Sequence, residues 1–344
     1  MHVTRQCQLV FIGCLLMTLL FIAQKASLNN QLKYINVNLS STTDTKNITY
    51  EQLITLPPVI KYPLDLVYPY NYSFILNEPN KCNPKAPFLV LLILSQANEL
   101  ASRKAIREMW GNESLVPGVS IMRLFLLGMP KGFTVEIQRL LVEESMLFHD
   151  IIQQDFMDSY VNLTIKTMMG LQWVSMFCPS ASYAMKIDSD MFLNTEYLVK
   201  FLNPEIPRRT NYFTGYMVRN AVPFRDPKSK FYVPFELYPA GFFPPYCGGP
   251  GYVFSAEMAK KIYDAAQVIK AINMEDVFVG LCLQKLGISI TESPASLFNW
   301  EKIEYEVCRY AGLITVHHIA LDELKQIWTH FMLSRHTCSA TKVI

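Results

Sequence analysis

The sequence predicts an α/β domain, with a mainly parallel central sheet flanked by helices, preceded by a transmembrane anchor and an extended stem. Three observations lead there. Apolar runs of strand length alternate with stretches of helical spacing through the first half of the folded region. Leu9 to Ala23 (LVFIGCLLMTLLFIA) carries no charge and lies between Arg5 and Lys25. Every N-x-Ser/Thr triplet, at Asn38, Asn47, Asn71, Asn112 and Asn162, follows that run.

The 344 residues leave room for one large domain beyond the tail, and 51% of them are apolar, enough for a well-filled core. Charged residues make up 17%, below the roughly 25% of an average soluble domain. Net charge is +2 without a long basic run, which argues against a nucleic-acid partner. The apolar run is shorter than the ~20 residues of an ordinary membrane span. Its alternative is a cleaved signal peptide, but neither Ala23 nor Ala26 has a small residue at the minus-three position. The expected organisation is a cytoplasmic tail over 1–8, a signal-anchor over 9–23, a lumenal stem over 24–80 and one folded domain over 81–344. Pro57, Pro58, Pro63, Pro69 and Pro79, with no clear period around them, mark the stem. Eight cysteines, no C-x-x-C pair and an oxidising compartment point to disulfides and away from zinc.

Along the folded region, Phe88 to Leu94 reads as a buried parallel strand, with Ser95 capping the helical stretch through Ala105 and Trp110. Ile121 to Gly128 is a second strand and Val135 to Phe148 a helix. Asp150 to Gln154 is a short strand. Tyr160, Leu163, Thr167, Leu171, Val174 and Cys178 fall on one helical face. Tyr183 to Ile187 is a strand that ends at Asp188, where ligands of such sheets bind. Pro234 to Gly251 reads as a loop, Tyr252 to Ser255 as a strand and Ala256 to Lys270 as a helix. Met274 opens a helix that Gly287 stops. Leu313 to His318 is a late strand. Asp322 to Leu333 is a terminal helix with Leu324, Ile327, Trp328 and Phe331 on one side.

Three constellations can carry chemistry. Asp188-x-Asp190 at a strand end offers oxygen ligands to a hard divalent cation, although a capped turn would also use these residues. Glu275-Asp276 at a helix start can supply a general base, or simply answer the helix dipole. His317-His318 ends the late strand, and alternation there directs the two rings to opposite faces, so only one is expected to complete a metal site.

These stretches resemble the β1,3-glycosyltransferases, and within them the β1,3-galactosyltransferases. The likeness is carried by FLVLLILS, RKAIREMWG (Arg103 to Gly111), FLLG and DIIQQDFMDSYVNLTIKT (Asp150 to Thr167). It continues through MKIDSDMFLN (Met185 to Asn194), PPYCGGPGYVFSAE (Pro244 to Glu257), EDVFVGLCLQKLGI (Glu275 to Ile288) and CRYAGLITVHHI (Cys308 to Ile319). The resemblance implies a GT-A fold, a UDP-galactose donor, Mn²⁺ and a Golgi membrane protein of single-pass type II. It implies an acceptor glycan on a glycoprotein or glycolipid. By the same resemblance Asp190 and His317 are metal ligands, Asp188 and Ser189 lie near the nucleotide, and Asp276, beside Glu275, is the base. Ser189 stands where the family usually has Asp. Arg107, Lys166 and Lys186 match basic positions that serve the donor. Cys178 with Cys247 and Cys282 with Cys308 are the expected disulfides. The alternatives are a β1,3-N-acetylglucosaminyl- or N-acetylgalactosaminyltransferase, or a non-catalytic lumenal binding protein on the same fold.

Overall fold

The structure, a computed structural model, describes residues 66–132, 134–294 and 297–338. The anchor, the cytoplasmic tail, most of the stem, Asn38 and Asn47 lie outside the described residues. Among the described residues no helix is long and apolar enough to cross a membrane.

Seven strands form one mixed, mostly parallel sheet. They are β1 (Phe74–Leu76), β2 (Leu89–Leu94), β3 (Ile121–Met129), β4 (Ile151–Met157), β5 (Tyr183–Asp188), β7 (Phe213–Val218) and β8 (Tyr246–Ser255). Their order across the sheet is β1-β4-β3-β2-β5-β8-β7. Strands β4, β3, β2 and β5 run parallel. Antiparallel pairings add β1 at one side and β8 with β7 at the other. Strand β2 is buried at every residue, as a strand covered on both faces must be. A separate two-stranded ribbon pairs β6 (Phe192–Leu193) with β9 (Thr315–Val316).

One face carries Val90, Leu92, Leu124 and Leu126 against helices α3 (Leu163–Phe177), α5 (Glu257–Ala266) and α6 (Glu275–Leu286). Gly170 lets α3 come close: a Cβ there would lie 2.6 Å from Leu126 Cδ1. The other face is covered by α1 (Leu100–Glu108), whose Arg107 lies over the Phe125 ring, and α2 (Val135–Phe148) follows β3. Helices α4 (Thr195–Leu202), α7 (Val307–Ala311) and α8 (Leu321–Ser334) complete the domain.

Several expectations need correction. Phe74–Leu76 belongs to the sheet although its segment reads as stem; its pairing with β4, rather than any local period, makes it a strand. Ser95 does not cap α1. The N-cap position is Glu99, and Ser95 Oγ donates instead to the Glu99 carboxylate at 3.0 Å. Part of the Pro- and Gly-rich loop is strand β8, held between β5 and β7. The late strand shrinks to two residues because its partner β6 is equally short.

The disulfides also differ from the expected pairs. Cys82 bonds Cys178 and Cys308 bonds Cys338, while Cys247 and Cys282 are buried free thiols. Cys247 packs where β8 meets β7, close enough that a Cβ on Gly215 would lie 3.2 Å from its sulfur. Burial pushes both free thiols up, Cys282 to about 12.

Candidate active site

Strand β5 projects Lys186 and Asp188, and the turn after it presents Asp190. The β6–β9 ribbon then brings the far end of the chain beside that turn. Phe192 pairs with Val316, and the Ile319 N–H donates to the Asp190 carbonyl at 3.0 Å. His317 Nε2 consequently lies 3.3 Å from Asp190 Oδ2. His317 Nδ1 donates to the Trp300 carbonyl at 2.9 Å, which fixes the tautomer and leaves Nε2 to face Asp190.

His318 joins this cluster, against the expectation that it would face away. The strand ends at Val316, and His318 takes a left-handed φ of 60° that folds its ring back. The two imidazoles stack at 3.7 Å, and His318 Nδ1 is 3.9 Å from Asp190 Oδ2. One ligand atom each from Asp190, His317 and His318 lies within 4.8 Å of the others. A carboxylate and two imidazoles on one side of an open cleft suit a divalent transition ion that keeps positions free for oxygen ligands.

Opposite stands the start of α6. Asp276 Oδ1 accepts the N–H of Val277 at 2.8 Å and Oδ2 accepts the N–H of Gly249 at 3.1 Å. Glu275 points inward instead. Its carboxylate meets Lys186 Nζ at 3.0 Å, Thr167 Oγ1 at 3.1 Å and the Tyr252 hydroxyl at 3.2 Å. Lys186 also bonds Asp188 Oδ1 at 2.8 Å and the Gly249 carbonyl. One buried ammonium therefore ties β5 to the helix that bears Asp276.

The charges follow from this packing. Burial lifts the Asp276 carboxyl above its ordinary range, against the Val277 N–H, the Lys186 charge and the Gly249 N–H. Burial also lifts Glu275, to about 7, with Lys186 opposing the rise and the Asp276 charge adding to it. Burial works against a charged Lys186, yet Asp188 and Glu275 hold its ammonium above the usual range. Burial would raise Asp190 as well, but its contact with His317 outweighs that, and the net shift is downward.

Lys186, Asp188, Asp190, Glu275, Asp276 and His317 line a single cleft of about 510 Å³. The other sequence-predicted residues are elsewhere. Arg107 bonds Asp150 at 2.9 and 2.8 Å and Glu144 at 2.7 Å, in a buried network that also holds Arg103 and Arg123. Lys166 bonds Asp158 at 2.6 Å and the Ser95 carbonyl at 2.7 Å. Ser189 Oγ donates to the Glu99 carboxylate at 3.1 Å. None of these three lines the cleft. Of the described sequons, Asn71 is exposed and Asn112 half-buried. Asn162 is buried, its amide nitrogen donating to the Met157 carbonyl at 2.8 Å.

Sequence reasoning missed Tyr160 and Lys230, which line the cleft, with the Lys230 ammonium 4.9 Å from the Tyr160 ring centre. It missed the Gly249 N–H as well. The glycines of CGGPG were the available signal, since a Cβ on Gly249 would lie 3.1 Å from Glu275 Oε1.

Residues 101–294 match the family described as Galactosyltransferase. Human β1,3-galactosyltransferase 2 is 47% identical over 273 residues, which is 79% of this chain and 65% of that protein. Mouse β1,3-galactosyltransferase 1 is 44% identical over 296 residues, 86% of each chain. The chain belongs to the galactosyltransferase family. Among solved structures, the apo form of the bifunctional glycosyltransferase WbbM aligns with 74% of this chain and 52% of that one. Its TM-score is 0.39 at 12% identity, too distant to bear on the site. The family match takes in Asp188, Asp190, Glu275 and Asp276, while His317 and His318 fall beyond its end. The relatives' names describe β1,3-galactosyl transfer.

Proposed function

We propose that this chain is an inverting β1,3-galactosyltransferase of GT-A type, moving galactose from UDP-galactose to the 3-hydroxyl of a GlcNAc-type acceptor. The observation that carries the reading is the opposition, in one cleft, of the Asp190–His317–His318 cluster and the Asp276 carboxylate. Asp190 with His317 and His318 would hold Mn²⁺, which supplies neutralisation of the charge that grows on the departing diphosphate. Asp276 accepts the proton of the acceptor hydroxyl. The freed oxygen bonds to the anomeric carbon as the sugar–phosphate bond breaks on the opposite face, so an α-linked donor yields a β-linked product. The Val277 and Gly249 N–H groups hold the carboxylate in place for that transfer. Burial makes it a stronger base than an exposed aspartate. Lys186 and Glu275 fix the strand and helix that carry the two sides.

The same reading places the chain in the Golgi membrane, single-pass and type II, with the described domain lumenal. The uncharged run at 9–23 and two disulfides in the described domain support that placement.

The deciding experiment measures UDP release from UDP-Gal, UDP-GlcNAc and UDP-GalNAc with a GlcNAc-terminated acceptor and Mn²⁺. UDP-Gal should be the preferred donor. Asp276→Asn should lose ~10²–10⁴-fold in kcat while still binding UDP. Wild-type turnover in that variant, or preference for another donor, would reject the assignment.

A further inference from the structure

The concave surface does not end at the cleft that holds Asp190 and Asp276. Trp300 lies on the wall of that cleft. Its ring stacks on Tyr216, with centroids 5.0 Å apart and planes inclined by 15°. Both residues keep more than a third of their surface exposed, 37% for Trp300 and 38% for Tyr216. Tyr216 in turn lines a second open cleft of about 280 Å³, with Gly215, Arg219, Glu292 and Ser293. The two stacked rings thus form a partition, with the catalytic cleft on the Trp300 side and the second cleft on the Tyr216 side.

The partition is firmly seated. A Cβ on Gly248 would lie 3.3 Å from the Trp300 ring, and the Trp300 carbonyl accepts from His317. On the far side Arg219 pairs with Glu292, both side chains more than half exposed, and Ser293 Oγ donates to the Gly215 carbonyl at 3.2 Å. Aromatic faces beside a planar ion pair and a hydroxyl are what a pyranose requires, since it presents apolar C–H faces and a rim of hydroxyl groups. A charged rim on so small a cleft is a poor lining for an acyl chain.

We propose that the second cleft is an acceptor subsite for the sugar that follows the acceptor's terminal residue, so that the enzyme selects oligosaccharide over monosaccharide acceptors. The proposal rests on the galactosyl-transfer reading above. The terminal sugar lies on the Trp300 side with its 3-hydroxyl toward Asp276. The next sugar crosses the partition, stacks on Tyr216 and hydrogen-bonds to Arg219 and Glu292.

The test measures initial rates of the full chain with UDP-galactose and Mn²⁺ on two p-nitrophenyl glycosides, one of GlcNAc alone and one of a GlcNAc-terminated trisaccharide. Wild-type kcat/KM should be about tenfold or more higher on the trisaccharide, a difference of about 1.4 kcal/mol. Tyr216→Ala and Arg219→Ala, made separately, should each shrink that ratio at least threefold, on the order of 0.7 kcal/mol, chiefly through the trisaccharide KM. Melting temperatures check folding, and Glu292→Ala, at an exposed position, replaces Tyr216→Ala should the latter fail to fold. Equal kcat/KM for the two acceptors overturns the proposal alone, as does a ratio that survives the substitutions. Absence of transfer to either acceptor overturns the galactosyl-transfer reading and this one with it.

Discussion

At the scale of single residues, two buried cations that look alike in sequence have different surroundings. Lys186 sits between Asp188 and Glu275 on the cleft, whereas Arg107 sits between Glu144 and Asp150 behind the sheet. Arg107→Leu should therefore cost about 3 kcal/mol of stability, near the lower end for breaking a buried ion pair, because Arg103 and Arg123 still pair with its former partners. Urea denaturation would register that loss. The KM for UDP-galactose should stay within about twofold, a change of under ~0.5 kcal/mol in binding; a large rise in KM would restore Arg107 to the donor site. For the proposed metal site at Asp190, His317 and His318, Mn²⁺ titration followed by electron paramagnetic resonance should show His317→Ala weakening binding by at least ~10-fold. His318→Ala should weaken it less, its nitrogen being farther from Asp190. Glu275 gives a pH signature. Its folded value of about 7 exceeds the ordinary 4.5, so between those values the folded state binds more protons than the unfolded chain. The metal-free protein should accordingly lose up to roughly 3 kcal/mol as pH rises through that window. Glu275→Gln should flatten the dependence; an unchanged pH profile in that variant would assign it to other groups.

At the scale of elements, much of the architecture was legible and the gaps have physical causes. Strand β2 announced itself because six successive apolar residues can only be covered on both faces. Helix α2 has Thr134 as an N-cap whose hydroxyl accepts from the Ile137 N–H, a local signal. By contrast β8 is rich in glycine and proline, and its extended form is imposed by two neighbouring strands. Strand β1 is too short for any period to register. In the cleft, Asp188, Asp190 and Asp276 were legible as candidates from position and pattern, while the role proposed for Asp276 came from the family resemblance and not from its spacing. The part played by His318 was not, because it depends on one left-handed backbone angle. The seat of α6 on β8 makes a further prediction. A Cβ on Gly280 would lie 2.7 Å from Tyr246 Cβ and 3.0 Å from the Pro245 carbonyl. Gly280→Ala should destabilise the domain by about 1–3 kcal/mol and lower kcat, since the same helix carries Asp276. Unaltered melting and turnover would show that α6 shifts freely.

At the scale of the whole molecule, two covalent links close the described domain. Cys82–Cys178 spans a sequence separation of 96, and Cys308–Cys338 holds α7 to the segment after α8. Replacing Cys82 and Cys178 together by serine should cost about 2–4 kcal/mol, read from urea midpoints. Peptide mapping should find Cys247 and Cys282 unmodified by N-ethylmaleimide until the protein is unfolded; labelling of the native protein would contradict their burial.

The short ribbon that joins β6 to β9 has a consequence for biosynthesis. Asp190 leaves the ribosome long before His317 and His318, and only their meeting assembles the three-residue cluster. A nascent chain stalled ahead of residue 317 has Asp188 and Asp190 in hand and neither imidazole beside them. On the proposed reading, cation binding thus waits for residues 317 and 318 and is not a property of the Asp188–Asp190 turn alone.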